Sequence, residues 1–421
     1  METHFTSRQL DHAPIKIAND ILRTCVHCGF CTATCPTYVV LGDELDSPRG
    51  RIYLIRDMLE RQQPAAATTV KHVDRCLSCL SCMTTCPSGV DYMHLVDHAR
   101  VYIEQTHTRP LGERLLRGML GAVLPRPNLF RWALRGARLA RPFKALLPGR
   151  LKGMVAMAPA ALPARVERVH VDPSGAKPRL RVALLAGCAQ QVLAPRINAA
   201  AARMLARLGC LVFEADGVGC CGALTHHMGQ EAAALTQARA NIEAWERARP
   251  DVIAMTASGC GSTVKDYGFM LKDDPDWAAR AAAISSLARD VTEVIADLGV
   301  DEIDDFAKPR VAYHAPCSLQ HGQKNLHGPT GLLKQAGFEV STPKNEHLCC
   351  GSAGTYNIMQ PDMAAELGGR KAVSLEVLNA DVIATANIGC LIQIGTYAGT
   401  PVVHVVELLD WATGGPSPLK P

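Results

Sequence analysis

Two kinds of apolar pattern divide the chain. In the C-terminal half, short β-branched or apolar runs, RLRVALLAG (179–187), CLVFEAD (210–216) and PDVIAMTA (250–257), stop at turns. Alanine-rich stretches such as INAAAARMLARL (197–208) and GQEAAALTQARANIEAWERAR (229–249) separate them. This alternation predicts a parallel sheet covered by helices. Further upstream the period changes. In SPRGRIYLIRDMLERQ (47–62), Ile52, Ile55, Met58 and Leu59 fall at helical spacing behind a Ser-Pro start, which predicts a helix and a mostly helical N-terminal region. In LFRWALRGARLARPF (129–143), Arg131, Arg135 and Arg138 share one helical face, and Phe130, Ala133, Leu134 and Ala137 line the other. No apolar run approaches the ~20 residues that span a bilayer, and the longest candidate, VAMAPAALPA (155–164), is broken by prolines.

The pattern repeats itself. DVIAMTASGC (251–260) answers DVIATANIGC (381–390), and GVGCCGA answers EHLCCGS. The cysteines keep pace: Cys188, Cys220, Cys221 and Cys260 correspond to Cys317, Cys349, Cys350 and Cys390, with 317 − 188 = 129 and 390 − 260 = 130. The C-terminal half is therefore a duplicated unit of about 130 residues. Its cysteines fall just past strand ends, where open α/β sheets hold ligands. Cys210 has no counterpart in the second copy and is expected to be a core residue. Gly217, Gly219 and Gly222 satisfy GxGxxG, but the sister loop keeps the cysteine pair and loses the first two glycines, so the repeated feature is the thiol pair and neither flavin nor nicotinamide is expected.

A second repeat lies near the N-terminus. Cys25, Cys28, Cys31 and Cys35 recur as Cys76, Cys79, Cys82 and Cys86, a constant offset of 51 (76 − 25 and 86 − 35), with proline after each fourth cysteine. A 421-residue chain that is 48% hydrophobic buries a real core without help from its 17 cysteines, and the first 24 residues lack the apolar stretch of a secretory signal. Clustered thiols in a reducing compartment point to metal rather than disulfides. Zinc sites bring two ligand pairs together from a distance. Here three thiolates within seven residues wrap three corners of an iron–sulfur cube, and the fourth, before proline, serves the partner cluster. The spacing predicts one [4Fe–4S] cluster on Cys25, Cys28, Cys31 and Cys86 and another on Cys76, Cys79, Cys82 and Cys35. Arg49 and Arg51 sit where cations would raise a cluster's potential, unless they are ordinary surface arginines.

The charge is segregated. From Arg109 to Lys152 there are eleven Lys or Arg and one acid, Glu113, giving +10, so the remainder carries −6 to reach the net +4. A basic amphipathic stretch suits anionic lipid, an acidic partner or solvent, and nucleic acid is not expected, because no matching motif accompanies it.

With two CxxCxxCxxxCP motifs followed by two CCG cysteine-rich units, DSPRGRIYLI after the first motif and GCxxQ at Cys390, the chain resembles the iron–sulfur subunits of glycolate oxidase. Relatives occur in anaerobic glycerol-3-phosphate dehydrogenase, lactate utilisation proteins and heterodisulfide reductase. The resemblance implies an electron-transfer subunit with no substrate-oxidising residue of its own, working with flavin-containing subunits that turn glycolate into glyoxylate and passing electrons towards a quinone or another acceptor. The expected place is the cytoplasm or the inner face of the cell membrane. Glycerol 3-phosphate or lactate as the partner's substrate, or a non-catalytic iron–sulfur redox sensor, are the alternatives. Heterodisulfide reductase relatives end each unit in CxxC, whereas Thr263 and Gln393 stand there in this chain, which speaks against a five-thiolate cluster. Cys188, Cys220, Cys221, Cys260, Cys317, Cys349, Cys350 and Cys390 are then either ligands of a further iron–sulfur centre or buried, unmetallated cysteines. His226, His227, His314 and His347 lie near these loops and are not taken as ligands. The expected architecture is α+β and multidomain: a helical two-cluster ferredoxin-like domain (1–105), a basic amphipathic linker (106–178), and first (179–300) and second (301–421) α/β cysteine-rich repeats.

Overall fold

The computed structural model describes residues 1–146, 149–159, 161–166, 168–173, 177–300 and 306–419. The boundary at 301 and the side chains of Lys144 and Lys152 in the basic stretch lie outside the described residues. Helices alone build the N-terminal region. The segment with Ile52, Ile55, Met58 and Leu59 is a helix, Pro48–Arg61, and all four residues are buried. Ser47 starts it by accepting a hydrogen bond from the Gly50 amide at 3.0 Å, with proline at its first position. Helices Ala13–Thr24, Ala67–Asp74 and Tyr92–Thr106 pack against it around Leu22, Ile55, Leu59, Val73 and Leu95.

Two sheets follow. The first has the order β1-β3-β2-β4-β5, with β1 (His170–Val171), β2 (Arg181–Leu185), β3 (Leu211–Phe213), β4 (Val252–Met255) and β5 (Ala288–Asp290). All its pairs are parallel except β1 with β3. β1 joins this sheet from within the stretch assigned to the linker. The second sheet is parallel throughout, in the order β7-β6-β8-β9, with β6 (Val311–His314), β7 (Val340–Ser341), β8 (Val382–Thr385) and β9 (Val402–His404). The central strands β6 and β8 are buried at every residue, as helices on both faces of a parallel sheet require. The two copies share one apolar core, in which Val182, Met204, Val311, Val382 and Leu408 belong to a single cluster. Asp410, 1% exposed, ties them further by pairing with Arg203 and Arg207 at 2.5 and 2.6 Å. Cys210 is fully buried in the same core.

The segment between these regions is helical and docked. It contains helices Leu111–Val123, Pro127–Ala140 and Gly149–Met157. Arg109 is buried and bound to Asp74, Glu104 and Glu113 at 2.6, 3.1 and 2.7 Å, so its charge is neutralised locally. Arg131 is only 7% exposed and donates to the Pro163 carbonyl at 2.7 Å. Leu134 is buried beside it against Ala158 and Val192. Arg131 and Leu134 thus face inward, because chain returning past residue 158 covers them. What faces solvent is apolar as well as basic. Leu111, Leu115 and Met119 are exposed at four-residue spacing, and Trp132 (63%) and Leu139 (80%) follow on the next helix. The Arg135 guanidinium lies 4.7 Å from the Trp132 ring centroid. Among the described residues, no helix is long and apolar enough to cross a membrane.

Candidate metal centres

The two N-terminal cysteine loops adopt one backbone twice. Counting from the first cysteine of each, the second and fourth residues after it are left-handed: His27 (φ 56°) and Gly29 (φ 84°) in one loop, Ser78 (φ 50°) and Leu80 (φ 61°) in the other. For a leucine that conformation costs roughly 1–2 kcal/mol, so the surroundings must impose it. Alternation of this kind curls the chain around a concavity and turns backbone N–H groups towards it.

Five thiols line one concavity and four the other, Cys82 being common to both, and the motifs are crossed. The outer cavity takes Cys25, Cys28 and Cys31 from the first loop and Cys86 from the second motif; Arg49 and Tyr92 also line it. The inner cavity takes Cys76, Cys79 and Cys82 with Cys35 from the first motif, beside Arg51 and Leu80. Cys82 and Tyr92 line both, so the cavities are neighbours. Thiol donors in apolar walls are the chemistry an iron–sulfur cube needs, and the residues fit it. The outer cavity reaches the surface: Cys28 is exposed, and Val26 (66%) and Phe30 (63%) flank it. The inner cavity is lined by buried Cys35, Cys76 and Cys82 and half-buried Cys79, and burial pushes the Cys79 and Cys82 thiols well above their ordinary range. Metal loading there must release protons, because thiolates are the ligands.

The structure separates the two arginines. Arg49 pairs with the partly exposed Glu44 at 2.7 Å. Arg51 is 1% exposed and donates to the His72 carbonyl (2.7 Å), Thr37 (3.0 Å), Asp46 (3.3 Å) and the Cys35 sulfur (3.7 Å). Burial opposes its charge, yet Cys76, Tyr92, Cys35 and Asp46 outweigh that and hold it protonated. Arg100, which sequence reasoning missed, fastens the second loop by donating to Ser78 (2.6 Å) and the Cys76 carbonyl (2.7 Å).

In the repeats, the cysteines gather at the carboxyl ends of the strands. Cys188 follows β2, Cys220 and Cys221 follow β3, and Cys260 lies in the first turn of helix Ser258–Lys265. Cys317, Cys349, Cys350 and Cys390 repeat this, the last in helix Ile388–Tyr397. The glycine after each pair is obligatory. Gly222 and Gly351 have φ of +90° and +86°, and an added Cβ would meet the Ala234 and Ala364 carbonyl oxygens at 3.2 and 2.8 Å. The sulfurs of each set form a string. Cys220 lies 3.6 Å from Cys188. Hydrogen bonds from Cys188 and Cys221 pull Cys220 down to about 4, while the same contacts raise its two neighbours. In the second repeat Cys317 meets Cys349, Cys349 meets Cys350, and Cys350 meets Cys390.

That second string continues from the inner cavity. Leu77, Cys317, Cys349 and Tyr356 share one buried cluster, and Cys79 packs against it. Tyr356 donates to the Arg75 carbonyl at 3.0 Å and Thr84 meets His321 at 2.7 Å, holding the two regions together. The first repeat docks differently, through His226 on Asp97 (3.2 Å) and His94 between Asp91 (2.5 Å) and Asp266 (2.9 Å). Burial opposes a charge on His94, but hydrogen bonds to Asp266 and Asp91 outweigh it and raise His94 to about 9. His227 also approaches Asp97, at 3.6 Å, and the His347 carbonyl faces His321 at 3.4 Å. His314 is different, with both ring nitrogens buried and unpartnered.

Comparison with known proteins agrees with this division. A 4Fe-4S dicluster domain family matches residues 21–90, and a cysteine-rich domain family matches residues 182–265 and 311–395. The chain is 43% identical to the glycolate oxidase iron-sulfur subunit of Escherichia coli (strain K12) over 98% of this chain and 99% of that one. It is 32% identical to a probable glycolate oxidase iron-sulfur subunit of Bacillus subtilis (strain 168) over 93% and 94%. Lactate utilization protein A of Bacillus velezensis is 26% identical over 55% of this chain and 99% of its own. In fold alone, the crystal structure of a hypothetical protein from Helicobacter pylori is similar, with a TM-score of 0.56 at 9% identity, covering 98% of this chain and 74% of that one. With a helical dicluster domain followed by two cysteine-rich repeats and this likeness over 98% of its length, the chain belongs to the family of glycolate oxidase iron–sulfur subunits, the electron-transferring components of an oxidoreductase.

Proposed function

We propose that the chain carries electrons singly from a flavin-containing partner that oxidises glycolate to glyoxylate, releasing two protons and two electrons, towards a quinone. Two [4Fe–4S] clusters bound by the crossed cysteine sets would supply one-electron storage. The observation that carries this reading is contiguity: a thiol-lined cavity that reaches the surface at Cys28, a second with mostly buried thiols beside it, and the second repeat's thiols packed against Cys79. Electrons enter at the outer cavity, where Cys28 is exposed between Val26 and Phe30. The repeat cysteines hold a further centre or the exit to the acceptor. Cys349→Ser together with Cys350→Ser is expected to leave both ferredoxin EPR signals in place and to abolish transfer from glycolate to quinone. Wild-type turnover in that variant would leave the repeats as scaffold.

The partner is tested by co-purification. A flavoprotein in fixed ratio with this chain, and clusters reduced by glycolate, are expected. Reduction by lactate or glycerol 3-phosphate alone would move the substrate, and the likeness to lactate utilization protein A makes lactate the first comparison. A lone chain responding only to oxygen or reductant would make it a sensor.

The exposed face of residues 111–143 is read as a contact with anionic lipid. Leu111, Leu115, Met119, Trp132 and Leu139 stand exposed among Arg114, Arg126, Arg135, Arg138 and Arg141, apolar groups for the acyl boundary beside cations for headgroups. Each cation near such a surface contributes about 1 kcal/mol, so Arg135→Gln with Arg138→Gln should weaken binding to phosphatidylglycerol vesicles about 30-fold. Trp132→Ser should weaken it further. Unchanged sedimentation with vesicles, together with loss of the flavoprotein, would assign the face to an acidic partner.

A further inference from the structure

The two repeats differ at two buried positions beside their thiols. Val182 pairs with Val252 in one sheet and Val311 with Val382 in the other, so Leu185 and His314 occupy the same place at the strand end. Helices Glu231–Ala248 and Pro361–Glu376 begin 361 − 231 = 130 residues apart, which puts Asn241 and Lys371 in the same place. In the first repeat Leu185 is an apolar core residue, and Asn241 donates to the Cys220 carbonyl at 2.9 Å. In the second repeat both positions carry nitrogen bases.

His314 is fully buried at the end of β6, and neither ring nitrogen has a hydrogen-bond partner. Leaving a buried imidazole nitrogen unpaired costs about 1–3 kcal/mol. A ring nitrogen and the sulfurs of Cys350 and Cys390 lie within 4.8 Å of one another, all three residues buried. Two thiols and an imidazole converging in this way form a donor set for a borderline-soft metal ion. Lys371, 2% exposed and donating to the Asn345 carbonyl at 2.9 Å, lies within electrostatic reach of Cys317, Cys349, Cys350 and Cys390, where it would offset the negative charge of metal-bound thiolates.

We propose that His314 is a ligand, with Cys350 and Cys390, of an iron centre in the second repeat, a mixed imidazole–thiolate site that the first repeat does not build. The proposal rests on the reading that this repeat holds a redox centre, and adds which residue sets its potential. A neutral imidazole in place of a thiolate removes one negative charge from the ligand set and favours the reduced metal, which raises the potential. The thiol string that ends here begins against Cys79, so electrons leaving the inner centre meet the more oxidising site next. The first repeat, with Leu185, stays at lower potential and off this route.

The test uses the full chain, reconstituted anaerobically with iron and sulfide, as wild type, His314→Leu, His314→Cys and Cys350→Ser. Iron and zinc are counted, pulsed EPR is recorded for coupling to a ring nitrogen, and the ferredoxin signals in each sample serve as the folding control. A nitrogen-coupled centre separate from the ferredoxin signals is expected in the wild type. His314→Leu, which copies the first repeat's residue, should lose the coupling, and His314→Cys should keep a centre at lower midpoint potential. If Cys350→Ser removes a centre but His314→Leu keeps its coupling and potential, the assignment of His314 is overturned alone. If Cys350→Ser removes nothing, the redox reading of the repeat falls and the proposal with it. Stoichiometric zinc, lost on Cys350→Ser, would overturn the choice of iron.

Discussion

Replacing Cys86 by serine is expected to destroy the outer cluster and spare the inner one, although Cys86 belongs in sequence to the motif that builds the inner one. Its side chain lines the cavity of Cys25, Cys28 and Cys31, and it is absent from the lining of the cavity formed by Cys35, Cys76 and Cys79. Two four-iron cubes hold about eight irons, so the variant should retain about four, with the EPR spectrum of Cys25→Ser. Cys35→Ser should behave reciprocally and match Cys76→Ser. Iron and sulfide analysis with low-temperature EPR after anaerobic reconstitution decides it. A Cys86→Ser spectrum that matches Cys76→Ser would mean that each motif closes its own cube, and the crossed assignment would be wrong.

Arg51→Met is expected to have the largest effect of any change outside the cysteines. Asp46, fully buried, is held by Arg51 (3.3 Å) and Arg75 (2.8 Å), and Arg51 alone also reaches Thr37 and the Cys35 sulfur. Removing Arg51 leaves Asp46 with Arg75 as its remaining cation and strips the His72 carbonyl of its donor, which together cost about 3 kcal/mol. Because a cation beside the inner cluster favours the reduced state, its loss should also lower that cluster's midpoint potential, on the order of 60 mV for a tenfold change in a one-electron equilibrium. Arg51→Lys keeps the charge but not the fork that satisfies four acceptors, so it should restore part of the potential and less of the stability. Denaturation of the anaerobic holoprotein and redox titration followed by EPR provide the two measurements. An Arg51→Met chain with wild-type stability and potential would return Arg51 to an ordinary packing residue.

Much of the fold was legible because the signals are short-range. The helix at Pro48–Arg61 is written in four apolar positions and a Ser-Pro start. The strands β2, β3 and β4 lie inside the runs RLRVALLAG, CLVFEAD and PDVIAMTA, since buried parallel strands need uninterrupted apolar stretches. The basic segment misled for the opposite reason. Periodicity assigns residues to faces of a helix but does not say which face is covered. In the helix Pro127–Ala140 the Arg131 and Leu134 side was covered, while Trp132 and Leu139 were left in solvent. His314 was set aside as a ligand because a histidine ending an apolar strand, VAYH, looks like a core residue until the repeats are superposed and Leu185 is found in its place.

By itself, the sequence determined which atoms are available for iron and how they are grouped: eight thiols in two motifs spaced 51 residues apart, and eight more in a duplicated unit. Ligand spacing of this kind is a local property, set by how few residues bring three sulfurs around a cube. Only the tertiary structure decided how the groups connect. Cys79 and Cys317 are 317 − 79 = 238 residues apart, and they share one buried cluster because the helical domain docks on the second repeat through Tyr356, Thr84 and His321. Both repeats carry the same four-cysteine pattern; the second packs its thiols against the inner cavity, and the first docks through His226 on Asp97 and His94 on Asp266. Which thiols lie against the inner cavity depends on this packing of surfaces, and no pattern along the chain encodes it.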